Sequence, residues 1–361
     1  MSHNDVSMKK KLSLTMKLLG LLTGICLAGL LTASVAWVYV QTWFVTPLHI
    51  PEQGYTYELK QGQSLSHLAN DLGRDGILSH PRLLRLYARF SATGKVHAGE
   101  YFFPAGTTPQ DLLLKLKKGD VVLYQVTFVE GWTVKQVLAA LEKLTTICHL
   151  LSGKSGQEQL ALLQLPVTHL EGWIFPDTYS FSRNTSDIEI LQNAHRKMQS
   201  LLDSEWEKRA PNLPYKNSYD ALIMASIVER ETGHHSERDQ IAGVFVRRLQ
   251  QGMKLQTDPT VIYGMGDSYA GRITRKNLAE ATAYNTYVIP GLPPTPISLP
   301  SAASIKAVLN PAPGKALYFV AKGDGTSEFS DSLDAHNQAV RRYQLNRRSD
   351  YRAAPPPASE N

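Results

Sequence analysis

The sequence predicts an α+β protein with a single N-terminal transmembrane helix, a small α+β module and a larger α+β domain. Three observations carry that prediction. Leu18–Val40 is an uncharged apolar run. Short segments of strand-like alternation, such as "YTYEL" and "ALYFVAKG", are interleaved with segments of helical periodicity. Residues 252–300 are rich in Gly, Pro, Tyr and Asn, which is unusual for a plain linker.

The run "LLGLLTGICLAGLLTASVAWVYV" would extend roughly 35 Å as a helix, enough to cross a bilayer's hydrocarbon core. Lys9, Lys10, Lys11 and Lys17 precede it, and no Lys or Arg follows until Lys60. The positive-inside rule therefore keeps residues 1–17 in the cytoplasm, spans the membrane with 18–40 and exports the rest. Trp37, Tyr39 and Trp43 fall where an outer aromatic belt would form. A cleaved signal peptide competes through "SVA" before Trp37, but the apolar run is longer than such peptides need. The chain has 361 residues, 43% of them hydrophobic, and a net charge of +6. That supports packed cores, excludes a wholly disordered chain and permits an acidic polymer as partner. No nucleic-acid motif accompanies the charge. The two cysteines cannot pair, because Cys26 lies in the apolar run; Cys148 is expected as a small buried hydrophobe.

Residues 41–54 read as a connector holding Pro47, Pro51 and Gly54. The module at 55–122 opens with a strand around Tyr55, Tyr57 and Leu59. A helix capped by Ser64 follows, then a second over Pro81–Phe90, a strand in "GEYFF" and a helix capped by Thr108 with Pro109 in its first turn. The larger domain, 123–346, begins with a strand over Val122–Val129 and a helix from near Thr133. Residues 145–170 carry little signal, and 170–181 read as an aromatic, Gly- and Pro-containing loop. Helices are expected at about 185–208, 218–232, 236–251 and 331–346, with a hairpin between "ALYFVAKG" and "EFSD". The Pro-rich tail, 347–361, is expected to be disordered.

The stretch "ASIVERETGHHSE" gathers acids and histidines around a helix end. Leu222, Ala225 and Val228 form an apolar stripe widened by Ile223 and Ile227. Glu229 stands about 100° from Val228, at the edge of that stripe, while Glu231 points away from it. A half-buried Glu229 would lose hydration and could serve as a proton donor. The helix alone is also compatible with a solvated Glu229 beside Arg230 and Arg238. Gln256, Asp258, Tyr263, Tyr284, Asn285 and Tyr287, in the loop-rich region downstream, suit a sugar cleft. Flat rings stack on sugar faces, and amides and carboxylates bond hydroxyls. His234 and His235 are adjacent and lack metal-site spacing, so no metal or other cofactor is expected. Ser226 lacks a GxSxG turn and a base. His336 and Asn337 are expected to be structural.

The segments "LEGWIFPDTY", "ASIVERET", "SERDQIAGVFVRRLQQGMKLQTDPTVIYGMG", "AYNTY", "GLPPTPIS" and "LYFVAKGDGTSEFS" occur in one order. In them the chain resembles the endolytic murein transglycosylase family, also called YceG-like, over about residues 50–345. The resemblance implies a LysM-like subdomain at 55–122 and a catalytic domain at 123–346, facing the periplasm from the inner membrane. It implies cleavage of the bond from N-acetylmuramic acid to N-acetylglucosamine in nascent peptidoglycan strands, leaving 1,6-anhydro ends and terminating elongation. The match of "IVERET" puts the family's catalytic glutamate at Glu229, while Glu231 reads either as a helper acid or, the favoured reading, as a solvated residue that merely matches the motif. Peptidoglycan synthases of the penicillin-binding type are implied as partners. A muramidase using water and a non-catalytic wall-binding or divisome scaffold are the alternatives.

Overall fold

The computed structural model describes residues 3–60, 62–90, 96–231 and 235–345. His234 and the tail expected at 347–361 lie outside the described residues. The chain divides into two compact units, Met1–Leu123 and Tyr124–Asn361.

In the first unit, helix α1 covers His3–Val45, and its Met16–Val45 portion is long and apolar enough to cross a membrane. Trp37 is 66% exposed, whereas Trp43 is 8% exposed. The expectation of a belt thus fails at Trp43. Its ring meets the edge of Phe44, with centroids 5.0 Å apart, and its indole N–H donates to Ser79 at 3.4 Å. Trp43, Phe44 and Leu48 belong to the core of the small module.

That module pairs β1 (Tyr55–Leu59) antiparallel with β2 (Gly99–Phe103), setting Tyr57 opposite Tyr101. Helices α2 (Leu65–Arg74) and α3 (Pro81–Phe90) lie between the two strands in sequence. Helix α4 (Pro109–Lys118) starts in a capping box of Thr108 and Asp111 and stops at Gly119, whose φ of 66° suits a residue without a Cβ. Leu68, Leu72, Leu84, Tyr101, Phe103 and Leu112 are fully buried.

Strand β3 (Leu123–Thr127) starts on the last residue of the first unit and lies otherwise in the second, where α5 (Val134–Glu142) follows. Two elements without a clear sequence signal follow: α6 (Gly156–Leu163), nucleated by a Ser155–Glu158 capping box, and β4 (Thr178–Ser182), which pairs with β3. Next come α7 (Asp187–Glu207), α8 (Ser218–Glu231), a 3-10 turn at His235–Glu237 and α9 (Arg238–Gln250). The loop-rich region holds α10 (Asp258–Met265) and α11 (Arg275–Ala279), and leads into an unanticipated α12 (Ala302–Leu309). The hairpin of β5 (Tyr318–Ala321) and β6 (Ser327–Ser330) and helix α13 (Leu333–Val340) complete the unit. Cys148 is exposed rather than buried.

Helix α8 forms the centre of this unit. All eight residues from Ala221 to Val228 are buried, against α7, α9, α10 and α12. Over this stretch the helix presents no solvent face. Even its Ser226 is enclosed: the hydroxyl donates to the Ile223 carbonyl and accepts from the Ile297 amide.

Trp43→Ala should destabilise the first unit by roughly 3 kcal/mol, and Trp37→Ala by less than about 0.5 kcal/mol. Amide hydrogen exchange in β1 and β2 of the detergent-solubilised chain measures both.

Candidate active site

Helix α8 ends in two acids separated by about 200° around the axis, so they leave it on different sides. Glu229 is enclosed, its side chain 7% exposed. Its Oε2 accepts from the Ser301 amide at 2.9 Å, the Ser301 hydroxyl at 2.5 Å and the Ser304 hydroxyl at 2.7 Å. Its Oε1 lies 3.7 Å from the Arg238 guanidinium, itself 8% exposed. Ser301 caps α12, so this carboxylate sits at the positive end of that helix while paired with the first residue of α9. Glu229 thereby clamps three helices together.

Glu231 takes the other direction. It does not stand in solvent, as the helical wheel suggested, because the opposite side of α8 is covered too. Glu231 is half-buried, accepts from the Thr257 hydroxyl and lines a cavity of about 810 Å³. Burial pushes its carboxyl pKa up, and the neighbouring Asp258 adds to the rise against the Thr257 hydrogen bond.

The sequence-selected binding residues divide into two groups. Gln256, Asp258 and Tyr287 line the cavity with Glu231. Gln256 has a φ of 53°, unfavourable for a residue with a Cβ, and its amide donates to the Thr286 carbonyl. That turn feeds the chain into α10, setting Asp258 at the cavity wall, where the Tyr287 hydroxyl donates to it at 2.7 Å. The other three lie outside the lining. The Asn285 amide nitrogen donates to the carbonyls of Asn277, Leu278 and Glu280, and its oxygen accepts from the Tyr287 amide. Such an engaged side chain knits its loop and has no donor left for a sugar. The Tyr284 hydroxyl bonds Thr295, and the Tyr263 hydroxyl donates to Glu171 at 3.1 Å.

Glu171, a buried acid inside "LEGW", was not singled out in the sequence. Its one available signal is a carboxylate amid aromatic, Gly and Pro residues. Both carboxylate oxygens accept from the Val134 amide at the start of α5, at 3.1 and 3.3 Å. Burial raises its pKa to about 7 against the pull of those donors. Gly172 follows at a φ of 80°, with Pro296 packed where a Cβ would project. Glu171 thus ties the 170–181 loop to α5 and, through Tyr263, to α10.

Comparison with known proteins bears on this geometry. The model of the YceG-like family matches residues 57–342. The chain belongs to the YceG-like family. It is 30% identical over 306 residues to the endolytic murein transglycosylase of Bacillus subtilis (strain 168), covering 79% of this chain and 83% of that protein. The endolytic murein transglycosylase of Streptococcus pneumoniae serotype 2 (strain D39) is 27% identical over 319 residues, and there the match spans 57% of the relative's length. A crystal structure of a YceG-like protein from Listeria monocytogenes superposes with a TM-score of 0.50 at 26% identity, covering 80% of this chain and 99% of that one.

Two measurements follow for this YceG-like chain. Glu229→Gln removes the charge facing Arg238 and should cost roughly 3 kcal/mol or more of unfolding free energy, read by thermal or denaturant unfolding. Glu171 holds its proton in the folded protein up to a pH near 7, whereas in the unfolded chain it ionises near 4.5. Between those values the folded state binds the extra proton, so stability falls as pH rises and levels off above. Relative to Glu171→Gln, the wild type should lose up to roughly 3 kcal/mol across that window.

Proposed function

We propose that this chain is a membrane-anchored endolytic lytic transglycosylase, with Glu231 as its acid. The observation that carries this assignment is a single carboxyl of raised proton affinity recessed in a large cavity beside Gln256, Asp258 and Tyr287. The names of the relatives supply the substrate class, peptidoglycan. The acid is moved from Glu229, the residue first suggested by the motif, because Glu229 holds α12 and α9 with both its oxygens.

Glu231 donates its proton to the glycosidic oxygen as the β-1,4 bond from N-acetylmuramic acid to N-acetylglucosamine breaks. The glucosamine leaves with a new 4-hydroxyl. The muramyl 6-hydroxyl attacks the anomeric carbon from within the same ring, and its proton passes to the Glu231 carboxylate. The product carries a 1,6-anhydro end, the acid is restored, and no water is consumed. Intramolecular attack avoids recruiting a second reactant. Asp258 supplies negative charge beside the developing oxocarbenium ion. The presence of this second carboxylate also favours one competing chemistry, a muramidase in which Asp258 activates water.

The apolar length of α1, with lysines before it and none until Lys60, supports an inner-membrane anchor with the second unit in the periplasm. The β-α-α-β order of 55–103 supports a LysM-like role in holding the strand. Cleavage near the bilayer would terminate nascent strands beside the synthases that extend them.

Glu231→Gln should fold as wild type and lose at least about 100-fold in release of soluble muropeptides from purified sacculi. Mass spectrometry of the wild-type products should find anhydro-muramyl ends. Free reducing muramic acid would instead establish hydrolysis. Full activity in Glu231→Gln would refute the assigned acid.

A further inference from the structure

The cavity that holds Glu231 has a second chemical character away from the acid. Arg248, on α9, is 8% exposed and lines it. Its Nε donates to the Leu317 carbonyl at 2.7 Å, and its Nη1 to the carbonyls of Lys254 and Leu255 and, at 3.5 Å, to Gln256. Among the described residues its Nη2 has no partner, and no carboxylate forms an ion pair with it. A buried guanidinium without a counter-anion is costly, since carbonyls answer its hydrogen bonds but not its charge.

Two further groups stand beside it. The guanidinium lies over the Tyr318 ring at 5.0 Å, and His336 stacks on the same ring with centroids 5.2 Å apart. Both residues line the cavity. His336 Nδ1 is sealed from solvent without a hydrogen-bond partner. An orphaned lone pair is cheaper there than an orphaned N–H, which assigns the proton to Nε2. Among the described residues neither Nε2 nor the Tyr318 hydroxyl has a protein partner. Three donors therefore remain on one wall. Val320, Ala321 and Leu333 supply apolar surface next to them.

We propose that Arg248, Tyr318 and His336 form a carboxylate site for the peptide borne by the muramyl sugar. This rests on the assignment of the Glu231 cavity as the muramyl site. The sugar at Glu231 carries its peptide on the lactyl ether, and that peptide combines small apolar side chains with free carboxylates. The wall offers the matching features: apolar surface for alanine methyls and a cation with two flanking N–H and O–H donors for the anion. The enzyme would then select peptide-bearing strands over bare glycan. The acid and the selectivity site share one cavity, but their chemistry is separable.

The test uses the full chain carrying Glu231→Gln, so that binding is measured without turnover. N-acetylmuramyl-L-alanyl-D-glutamate is titrated calorimetrically beside the same compound with both carboxylates amidated. The diacid should bind at least about ten-fold more tightly, the scale of a lost charge-assisted hydrogen bond. His336→Phe, which keeps a flat ring on Tyr318, should narrow that gap several-fold. Tyr318→Phe removes one hydroxyl and no packing, and should narrow it also if His336→Phe does not fold. Equal binding of the two compounds would overturn the proposal, as would inorganic phosphate displacing the diacid at equal concentration. In a second arm, the active chain should cleave peptide-bearing strands faster than strands stripped of peptide, with a smaller ratio in His336→Phe. Cleavage of neither strand would refute the lytic reading of Glu231 alone. The carboxylate site would still stand or fall on the binding result.

Discussion

The architecture around the cavity depends on α8 being enclosed on all sides from Ala221 to Val228. An ordinary amphipathic helix would send acids 200° apart to one buried and one wet environment. Here both acids meet protein groups, and their surroundings differ. Glu229 meets two serine hydroxyls, a helix-terminal amide and a guanidinium. These donors suit a fixed carboxylate that holds α12 and α9 on the central helix. Glu231 meets one threonine hydroxyl and a neighbouring carboxylate at a cavity wall. That environment leaves a proton affordable on the acid.

The loop-rich region gives this arrangement its shape. Gln256 turns the chain left-handed, Thr257 touches Glu231, and Asp258 begins α10 under the Tyr287 hydroxyl. Asn285 closes the loop behind them through four hydrogen bonds. Tyr263 carries the other end of α10 to Glu171, and Glu171 to the start of α5. The Gly, Pro, Tyr and Asn content of 252–300 is thus divided between wall and scaffold. The hairpin and α13 contribute a further wall through Tyr318 and His336.

Much of this was legible in the sequence. The cap at Thr108, the alternation of β1 and the apolar run of α1 each state their structure locally. The motif region was also picked out, and three of the residues selected from it, Gln256, Asp258 and Tyr287, line the cavity with Glu231. The burial of Glu231 was not legible, because a helical wheel cannot show which tertiary neighbours cover the side of α8 that it faces. Helix α12 escaped for a related reason: its start is completed by Glu229, far away in sequence, as well as by its own Ser301. Trp43 looked like a membrane-interface residue because sequence position cannot reveal that α1 ends inside the core of the small module. Asn285 and Tyr284 have the composition of a sugar site, yet their polar atoms face their own loop.

The most direct test is a carboxyl 13C titration of the glutamate-labelled full chain in detergent, with the Glu231 resonance assigned by its loss in Glu231→Gln. An ionisation above the ordinary glutamate value of 4.5 is expected for Glu231. An ordinary titration there, as for a solvated side chain, would contradict the account.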